Sequence, residues 1–220
     1  MISGKAFADT CRWVIDPRYP NHPRYLNLTA RSGDRVFING DLVMSFAHVP
    51  RRKHVYIVHN SDQAFDGTKL AALLPTALHI YAVNTTVSHP QLTTIPLGFP
   101  DAALPFLSTF IRPDVPRDIE IYMNFTLGTN ISKRTDCWAA LKDDPRVVVK
   151  SGRSTSEYYE DLCRSRYVLC PEGTGIDTHR VYEAILCGAT PVVLRNPLAE
   201  FYSKYPVKIV ENWSLENMAI

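Results

Sequence analysis

The chain has no long hydrophobic run. No uninterrupted apolar stretch approaches the ~20 residues that a membrane-spanning helix needs, although 45% of its residues are hydrophobic. The N-terminus is polar by Lys5 and Asp9, so it lacks the pattern of a signal peptide. The sequence therefore predicts no membrane span, and its hydrophobic residues are available for a buried core.

Net charge is almost absent as well. The 24 basic and 22 acidic residues leave a formal charge of +2. Proteins that bind nucleic acid usually show a clear basic excess, so we expect no nucleic acid partner. A local basic pocket for a phosphate group is compatible with this balance.

The cysteines show no C-x-x-C spacing of the kind that binds zinc, and their number, five, is odd. We interpret them as reduced thiols of a cytoplasmic protein. Several of the five glycosylation sequons fall beside predicted strands or site loops, where a glycan would interfere with folding, and we interpret the sequons as chance matches. The sequons begin at Asn27, Asn84, Asn124, Asn130 and Asn212.

Short strands and helices alternate along the chain, which favours an α/β protein with parallel sheets. Residues 102–116 contain prolines and lack clear periodicity, as a domain boundary does, and we divide the chain into domains 1–112 and 113–220. Residues 1–32 are poorly periodic and are predicted to form a wrapping arm or loop. The main predicted strands are 36–38, 54–58, 79–83, 119–123, 147–149, 167–170, 191–194 and 207–210. Ser154 and Glu157 fit a capping box, which predicts a helix from there to about Arg164.

The most informative stretch is residues 165–190. A short apolar strand, 167–170, runs into the loop 171–175, which contains two glycines. A helix follows, with Asp177 or Thr178 as its N-cap and Gly188 at its end. A strand, a glycine loop and a helix N-terminus together form an anion site, because the loop and first-turn N–H groups lack partners.

Three polar residues of this helix, His179, Arg180 and Glu183, share one face. An arginine fork suits a diphosphate, and a carboxylate one turn later suits the vicinal hydroxyls of a ribose. The alternative is that Arg180 and Glu183 form an ordinary surface ion pair. The glycine loop immediately before the helix favours the anion site.

The run SRYVLCPEGTGIDTHRVYEAILCGATPVV resembles the nucleotide-sugar-binding segment of the exostosin-like glycosyltransferases. The shared pattern is a Ser-Arg-aromatic strand, Pro-x-Gly, an Asp-x-x-Arg-x-x-Glu-Ala helix, then Gly and a Pro-Val strand. The match is good over residues 158–194 and loose elsewhere. The resemblance implies a compact GT-B-like fold, in which two Rossmann-like parallel-sheet domains face each other across a cleft. It also implies that Arg180 holds the diphosphate of a UDP-sugar and Glu183 its ribose.

The resemblance extends the predicted donor site to other residues. In related transferases a basic residue after the strand 119–123 reaches the donor phosphates, and Arg134 matches it best, with Lys133 beside it. A basic first turn opposes the helix dipole, which favours a nearby anion. Arg153 is predicted to border the base, and either Tyr158 or Tyr159 to contact the uracil. The loop and helix start complete the predicted donor site with Gly173, Gly175, Asp177, Thr178 and His179.

Polar residues also follow the strand 54–58, at the edge of the first predicted sheet. His59 or Asp62 is placed to take a proton from an acceptor hydroxyl. The same tetrad, residues 59–62, also suits a turn and a helix cap. Both interpretations stand.

The chain contains no Asp-x-Asp sequence, and Asp143 and Asp144 precede Pro145 in a turn, which is a poor cation site. With the resemblance, this predicts a metal-independent glycosyltransferase that moves a sugar from a UDP-sugar to a saccharide acceptor, with no further cofactor. One rival is a catalytically silent nucleotide-sugar-binding or scaffold module. Another is a different Rossmann-like sugar-nucleotide enzyme, which needs a G-x-G-x-x-G turn that Asn39 and Gly40 do not supply.

Two expectations concern the wider protein. Animal exostosins are membrane-anchored in the secretory pathway, so their partners and polymer substrate are not transferred to a chain expected in the cytoplasm. The last predicted helix starts after Ser214, about two turns before the final residue, Ile220. We therefore expect this chain to be a module of a longer polypeptide.

Overall fold

The computed structural model describes residues 1–112 and 114–218, without the side chains of residues 217 and 218. Its contacts divide the chain into two compact units, Met1–Asp101 and Ala102–Ile220. The predicted division between residues 112 and 113 falls inside the second unit, close to its start.

The first unit contains a five-stranded parallel sheet with the strand order β1-β2-β3-β4-β5. Its strands are β1 (Trp13–Ile15), β2 (Arg35–Asn39), β3 (His54–His59), β4 (Ala77–Ala82) and β5 (Leu92–Thr94). Its helices are α1 (Gly4–Ala8), α2 (Val43–Phe46) and α3 (Gly67–Leu73), with 3₁₀ turns at Gly40–Leu42 and Leu74–Thr76. Ile38 and Tyr56 belong to one buried cluster, and Phe37 and Ile57 to another. Alternate residues therefore pack on opposite faces of the sheet, as both faces of a parallel sheet are usually covered.

The prediction that residues 1–32 form an arm or loop was wrong, because this segment contains α1 and β1. Ser3 caps α1 by accepting a bond from the Ala6 N–H at 3.2 Å. The strand β1 pairs with β2 in parallel, with Trp13 opposite Val36. The apolar run Trp13–Ile15 lies in a segment without periodicity, and pairing with β2 provides its order.

The second unit contains the other five-stranded sheet, with the order β10-β9-β8-β6-β7, and every pair is parallel. Its strands are β6 (Ile119–Met123), β7 (Val147–Val149), β8 (Ser165–Leu169), β9 (Thr190–Leu194) and β10 (Lys208–Val210). Its helices are α4 (Leu107–Phe110), α5 (Ile131–Leu141), α6 (Thr155–Arg164), α7 (His179–Leu186), α8 (Ala199–Tyr202) and α9 (Leu215–Met218), with a 3₁₀ turn at Leu127–Thr129. The buried cluster on one face joins Ile121 and Leu169 to Cys137 and Leu141 of α5.

The strand order of the second sheet reverses at β6. The chain passes from β6 to β7 on one side and then returns to place β8 on the other side. In parallel α/β sheets, ligands bind at such a reversal, outside the carboxyl ends of the two strands. The loops that follow β6 and β8 therefore begin side by side at the expected position of a ligand. The first sheet, whose strands follow chain order, has no such reversal.

The α/β class and the parallel sheets are confirmed, and the eight predicted strands are present within two residues of their predicted ends. The capping box at the start of α6 is also present, since Glu157 accepts a bond from the Ser154 N–H at 2.9 Å. Gly188 follows the end of α7 at φ +74°, which favours glycine. The predicted continuation of the last helix to Ile220 lies outside the described residues. No helix in the described part of the chain is long and apolar enough to cross a membrane.

Candidate functional site

The start of α5 is fastened to the glycine loop by Asn130. Its side-chain oxygen caps α5 by accepting a bond from the Lys133 N–H at 3.3 Å. Its amide nitrogen donates to the carbonyl of Gly173 at 2.8 Å. One side chain thus joins the segment after β6 to the segment after β8. In the sequence Asn130 stands out only as the start of a sequon and is not predicted to belong to the site, although Asn is a favoured N-cap residue.

Arg134 makes a second connection between these segments, and it is 7% exposed. Its Nε donates to the Glu172 carbonyl at 3.1 Å, and its Nη1 donates to the Thr126 carbonyl at 2.7 Å and to the Thr129 hydroxyl. All three acceptors are neutral. Arg134 forms no ion pair with a carboxylate in the described part of the chain, so its buried charge is not compensated.

Arg180 lies in the first turn of α7 and is the second cation of the site. Its Nε is buried and has no hydrogen-bond partner among the described residues. The Phe125 ring contacts both guanidinium groups, with its centroid 6.0 Å from Cζ of Arg180 and 5.7 Å from Cζ of Arg134. Burial and then the charge of Arg180 lower the pKa of Arg134 to about 10. The site therefore holds two close positive charges that an anion would stabilise.

The N-terminus of α7 adds to this positive potential. Thr178 is the N-cap residue, but its side chain makes no cap bond, and its buried Oγ1 has no partner in the described structure. The first-turn N–H groups of a helix have no intrahelical acceptors, and the helix dipole favours an anion there. Arg180 lies in this first turn of α7. The free backbone N–H groups and the guanidinium group of Arg180 therefore lie at the same end of the helix.

The predicted donor contact of Asp177 is not supported by the geometry. Its buried carboxylate accepts hydrogen bonds from the hydroxyl of Tyr182 and, at 2.8 Å, from that of Tyr202. These bonds connect α7 to α8. The local sequence around Asp177 does not show that the two tyrosine hydroxyls bind its carboxylate, because Tyr202 lies 25 residues further along the chain.

Glu183 is buried and bound by two tyrosines. One carboxylate oxygen accepts from the Tyr158 hydroxyl at 2.8 Å, and the other accepts from the Tyr159 hydroxyl at 3.0 Å. Burial and the charge of Glu183 raise the pKa of both hydroxyls. The alternative that Arg180 and Glu183 form a surface ion pair is wrong, since Glu183 is only 9% exposed and the ion pairs of the described residues do not include this one. Each carboxylate oxygen has a further lone pair for a ligand.

Arg153, which was predicted to border the base, is occupied by carboxylates. Its fork binds Asp161 at 2.8 and 3.1 Å, and its Nη1 donates to Glu157 at 3.2 Å. Asp161 also accepts from the hydroxyl of Tyr122, which in turn accepts from Asn124 at 2.8 Å. The geometry therefore favours a positioning role for Arg153, because this network fixes α6 against the end of β6.

The remaining predicted donor residues surround the two arginines. Lys133 is exposed, and the Gly175 carbonyl accepts a bond from the Gly173 N–H at 3.1 Å. His179 is the half-buried first residue of α7. Contact of these residues with a donor stays a prediction. The described residues contain no cluster of three or more His, Cys, Asp or Glu side chains placed to hold a metal ion.

The tetrad 59–62 in the first unit divides into a buried part and an exposed part. His59 is buried, with Nδ1 2.8 Å from the Asn60 backbone nitrogen and 2.9 Å from Oδ1 of Asn60, and with Nε2 3.2 Å from the Pro96 carbonyl oxygen. Both ring nitrogens are thus engaged inside the unit, so the geometry favours Asp62 over His59, and a role for His59 as a base stays a prediction. Asp62 is exposed and stays the candidate. The predicted helix cap is four residues further on, where Asp66 accepts from the first turn of α3.

Residues 120–210 match the family model described as the RXYLT1 C-terminal domain. The matched segment contains the site residues Phe125, Arg134, Arg180 and Glu183. The matched segment, which is less than half of the chain, is similar to the exostosin-like glycosyltransferases. These matches confirm the resemblance that we inferred from the motif of residues 165–190.

Two exostosin-like relatives show how far the similarity extends. The chain is 30% identical over 99 residues to "Probable beta-1,4-xylosyltransferase IRX10" of Arabidopsis thaliana. This aligned segment covers 40% of the chain and 24% of the relative. The chain is also 30% identical over 98 residues to "Probable glucuronosyltransferase Os02g0520750" of Oryza sativa subsp. japonica. That aligned segment covers 40% of the chain and 22% of the relative. The similarity thus spans about a quarter of the length of these curated relatives.

Proposed function

We propose that this chain binds a UDP-sugar and transfers its sugar to a hydroxyl of a saccharide acceptor. The names of the relatives, a xylosyltransferase and a glucuronosyltransferase, support the reaction class. The observation that carries the proposal is the pair Arg134 and Arg180, which lie against Phe125 and form no ion pair among the described residues. The charge of the nearby Glu183 acts on Arg180 alone, and a diphosphate would supply the further negative charge that the two arginines attract.

The proposed reaction breaks the bond between the anomeric carbon and the diphosphate oxygen as the acceptor oxygen forms its own bond to that carbon. The electron pair of the broken bond leaves with UDP, so negative charge grows on the diphosphate. Arg134 is held in place by its hydrogen bonds to the Glu172 and Thr126 carbonyls, and Arg180 and the N-terminus of α7 belong to the same helix. Preorganised donors stabilise a developing charge most effectively. The Glu183 carboxylate is proposed to accept hydrogen bonds from the ribose hydroxyls, which do not change during the reaction.

The acceptor proton has two routes. If the anomeric centre is inverted, a base must take this proton, and Asp62 is the candidate because its carboxylate is exposed. If the configuration is retained, the departing phosphate accepts the proton and no such base is needed. An Asp62→Asn variant distinguishes the routes, because only the inverting route loses about a hundredfold or more in kcat with unchanged UDP binding.

We also propose that the reaction needs no metal ion and that the two units form a GT-B arrangement. The sequence has no Asp-x-Asp motif, and Arg134 and Arg180 supply the charge that a divalent cation would otherwise provide. The two parallel five-stranded sheets support the GT-B proposal.

The proposal is tested by thermal shift with a panel of nucleoside diphosphates and nucleotide sugars. A ligand at about 100 times its dissociation constant stabilises by about 2.7 kcal/mol, which raises the Tm of a protein of this size by roughly 5–10 °C. UDP should stabilise the protein more than GDP or CDP, and Arg180→Ala should lose this effect. Arg166→Ala, at an exposed arginine outside the site, is the control. No response to any nucleotide would refute the donor site.

A second assay separates an enzyme from a silent binding module. The protein is incubated with each UDP-sugar that shifts its Tm, together with a panel of xylosides, glucosides and glucuronides. Transfer of the sugar supports the enzyme. Binding without transfer or hydrolysis for every donor supports the silent module.

A further inference from the structure

Two segments of the first unit, residues 24–31 and 49–53, lie side by side. The side-chain amide of Asn27 donates to the Val49 carbonyl at 2.6 Å, and its oxygen accepts from the Arg51 N–H at 3.3 Å. The first segment is closed by a tight turn, in which the Leu26 carbonyl accepts from the Ala30 N–H at 2.9 Å. We refer to these two segments together as the basic-leucine surface.

The apolar side chains of the basic-leucine surface point into solvent. Leu28, at the tip of the turn, is 98% exposed, and Leu26 is 59% exposed. Val49 on the adjoining segment is 41% exposed. Single exposed apolar residues are common, but a group of them on adjoining segments marks an interaction surface.

The same surface carries five exposed cations that have no side-chain hydrogen bond or ion pair with any described residue. Asp34 lies at its border, where it accepts from the Arg31 N–H at 2.8 Å, but its carboxylate is bound by Arg12 and by the Trp13 indole. The positive charge of the surface is therefore not neutralised locally. The five cations are Arg24, Arg31, Arg51, Arg52 and Lys53.

We propose that the basic-leucine surface binds the face of an anionic lipid bilayer. Unpaired cations attract anionic headgroups, and leucines on a turn insert into the boundary between headgroups and acyl chains. A fluid bilayer suits Leu28 better than an acidic peptide does, because a side chain that protrudes almost completely needs an apolar phase to enter. The hydrogen bonds that close the turn hold it in shape before binding, so little conformational entropy is lost.

The test is sedimentation of the whole chain with vesicles of phosphatidylcholine alone or of phosphatidylcholine mixed with the anionic lipid phosphatidylserine. We expect binding only to the anionic vesicles, with a partition coefficient that falls as salt rises. Arg51→Glu/Arg52→Glu should lower it by about 25-fold or more, since each cation contributes about fivefold. Leu26→Ser/Leu28→Ser should lower it by about tenfold or more. All four positions are exposed, so these variants should fold.

Matched controls use exposed residues elsewhere on the chain. Arg166→Glu/Lys204→Glu gives the same change in net charge, and Leu78→Ser removes another exposed leucine. Neither control should lower binding by more than about twofold. Equal losses in controls and test variants would overturn the proposal, as would equal binding to both kinds of vesicle. Binding to a soluble acidic peptide or polyanion, but not to anionic vesicles, would also overturn it.

Discussion

Arg134 occupies the space that a side chain at residue 173 would need. A Cβ atom added to Gly173 would lie 2.9 Å from Nη2 of Arg134. The other guanidinium nitrogens of Arg134 are held by the Glu172 and Thr126 carbonyls. The glycine therefore matters because it lets a buried cation approach the loop closely, whereas its φ does not lie in the left-handed region.

Gly173→Ala should displace Arg134 and weaken UDP binding. The new methyl group overpacks the contact, which we expect to lower the free energy of unfolding by about 1–3 kcal/mol. Calorimetric titration with UDP and urea denaturation measure the two effects. Gly128→Ala is the control, because no atom lies within 4 Å of a Cβ at that position. Equal behaviour of the two variants would contradict the packing argument.

Arg180→Ala should lower both UDP affinity and kcat. Arg180 faces the diphosphate in the proposed site, and its interaction strengthens as charge grows there. Charge-assisted hydrogen bonds contribute about 1.5–3 kcal/mol, so affinity should fall about ten- to a hundredfold. Titration calorimetry and steady-state kinetics measure these losses, with circular dichroism to confirm folding. A lower affinity with unchanged kcat would assign Arg180 to ground-state binding alone.

Glu183→Gln should weaken binding of UDP and UDP-sugar equally and leave kcat nearly unchanged, because the ribose does not change in the reaction. The amide also presents N–H groups to one of the two tyrosine hydroxyls, so we expect a stability loss of about 1–3 kcal/mol. Tyr159→Phe removes one of these hydroxyls and leaves the carboxylate intact. If Tyr159→Phe and Glu183→Gln lose stability alike, and UDP binds to both as it does to the parent, then Glu183 is structural only.

Donor binding and transfer should survive EDTA. The proposed site neutralises the diphosphate with Arg134 and Arg180, so removal of divalent cations should change UDP affinity by less than about twofold. Titration with UDP in EDTA, Mg²⁺ and Mn²⁺ gives the comparison. Strict dependence on Mn²⁺ or Mg²⁺ would refute metal independence, although the donor site itself would stand.

The stability of the first unit should depend on the ionisation of Asp101. Burial raises the pKa of this carboxyl, but hydrogen bonds from the Tyr19 hydroxyl at 2.6 Å and the Lys5 N–H at 2.9 Å outweigh burial, so its pKa lies below 3.8. A lowered pKa means that this stabilisation is present above pH ~4 and is lost as pH falls through the folded-state pKa.

Tyr19→Phe should therefore be less stable than the parent at neutral pH, and the difference should shrink below pH ~4. Urea denaturation from pH 7 to pH 3 measures it. Tyr81→Phe is the control, because its hydroxyl makes no hydrogen bond with the described residues. A difference that stays constant with pH would show that Tyr19 does not act through Asp101.

Local sequence was a reliable guide where residues interact with close neighbours along the chain. Short apolar runs bounded by turn residues predicted β6 to β10. Ser154 and Glu157 predicted the start of α6, and Gly188 predicted the end of α7, because these signals act within one turn of helix. The β1 strand was missed because its order depends on pairing with β2, across about twenty intervening residues.

The same distinction between local and distant interactions applies to the candidate site. The sequence alone determined that residues 165–190 form a strand, a glycine loop and a helix N-terminus that carries Arg180, and it determined the family resemblance. Only the tertiary structure decided which polar side chains are bound inside the unit and which are left for the proposed ligand. Asp177 and Arg153 are bound inside the unit, while Phe125 and Asn130 join the site. The reason is physical: burial and hydrogen-bond partners are set by neighbours distant in sequence, and the reversal of strand order at β6 brings these neighbours together.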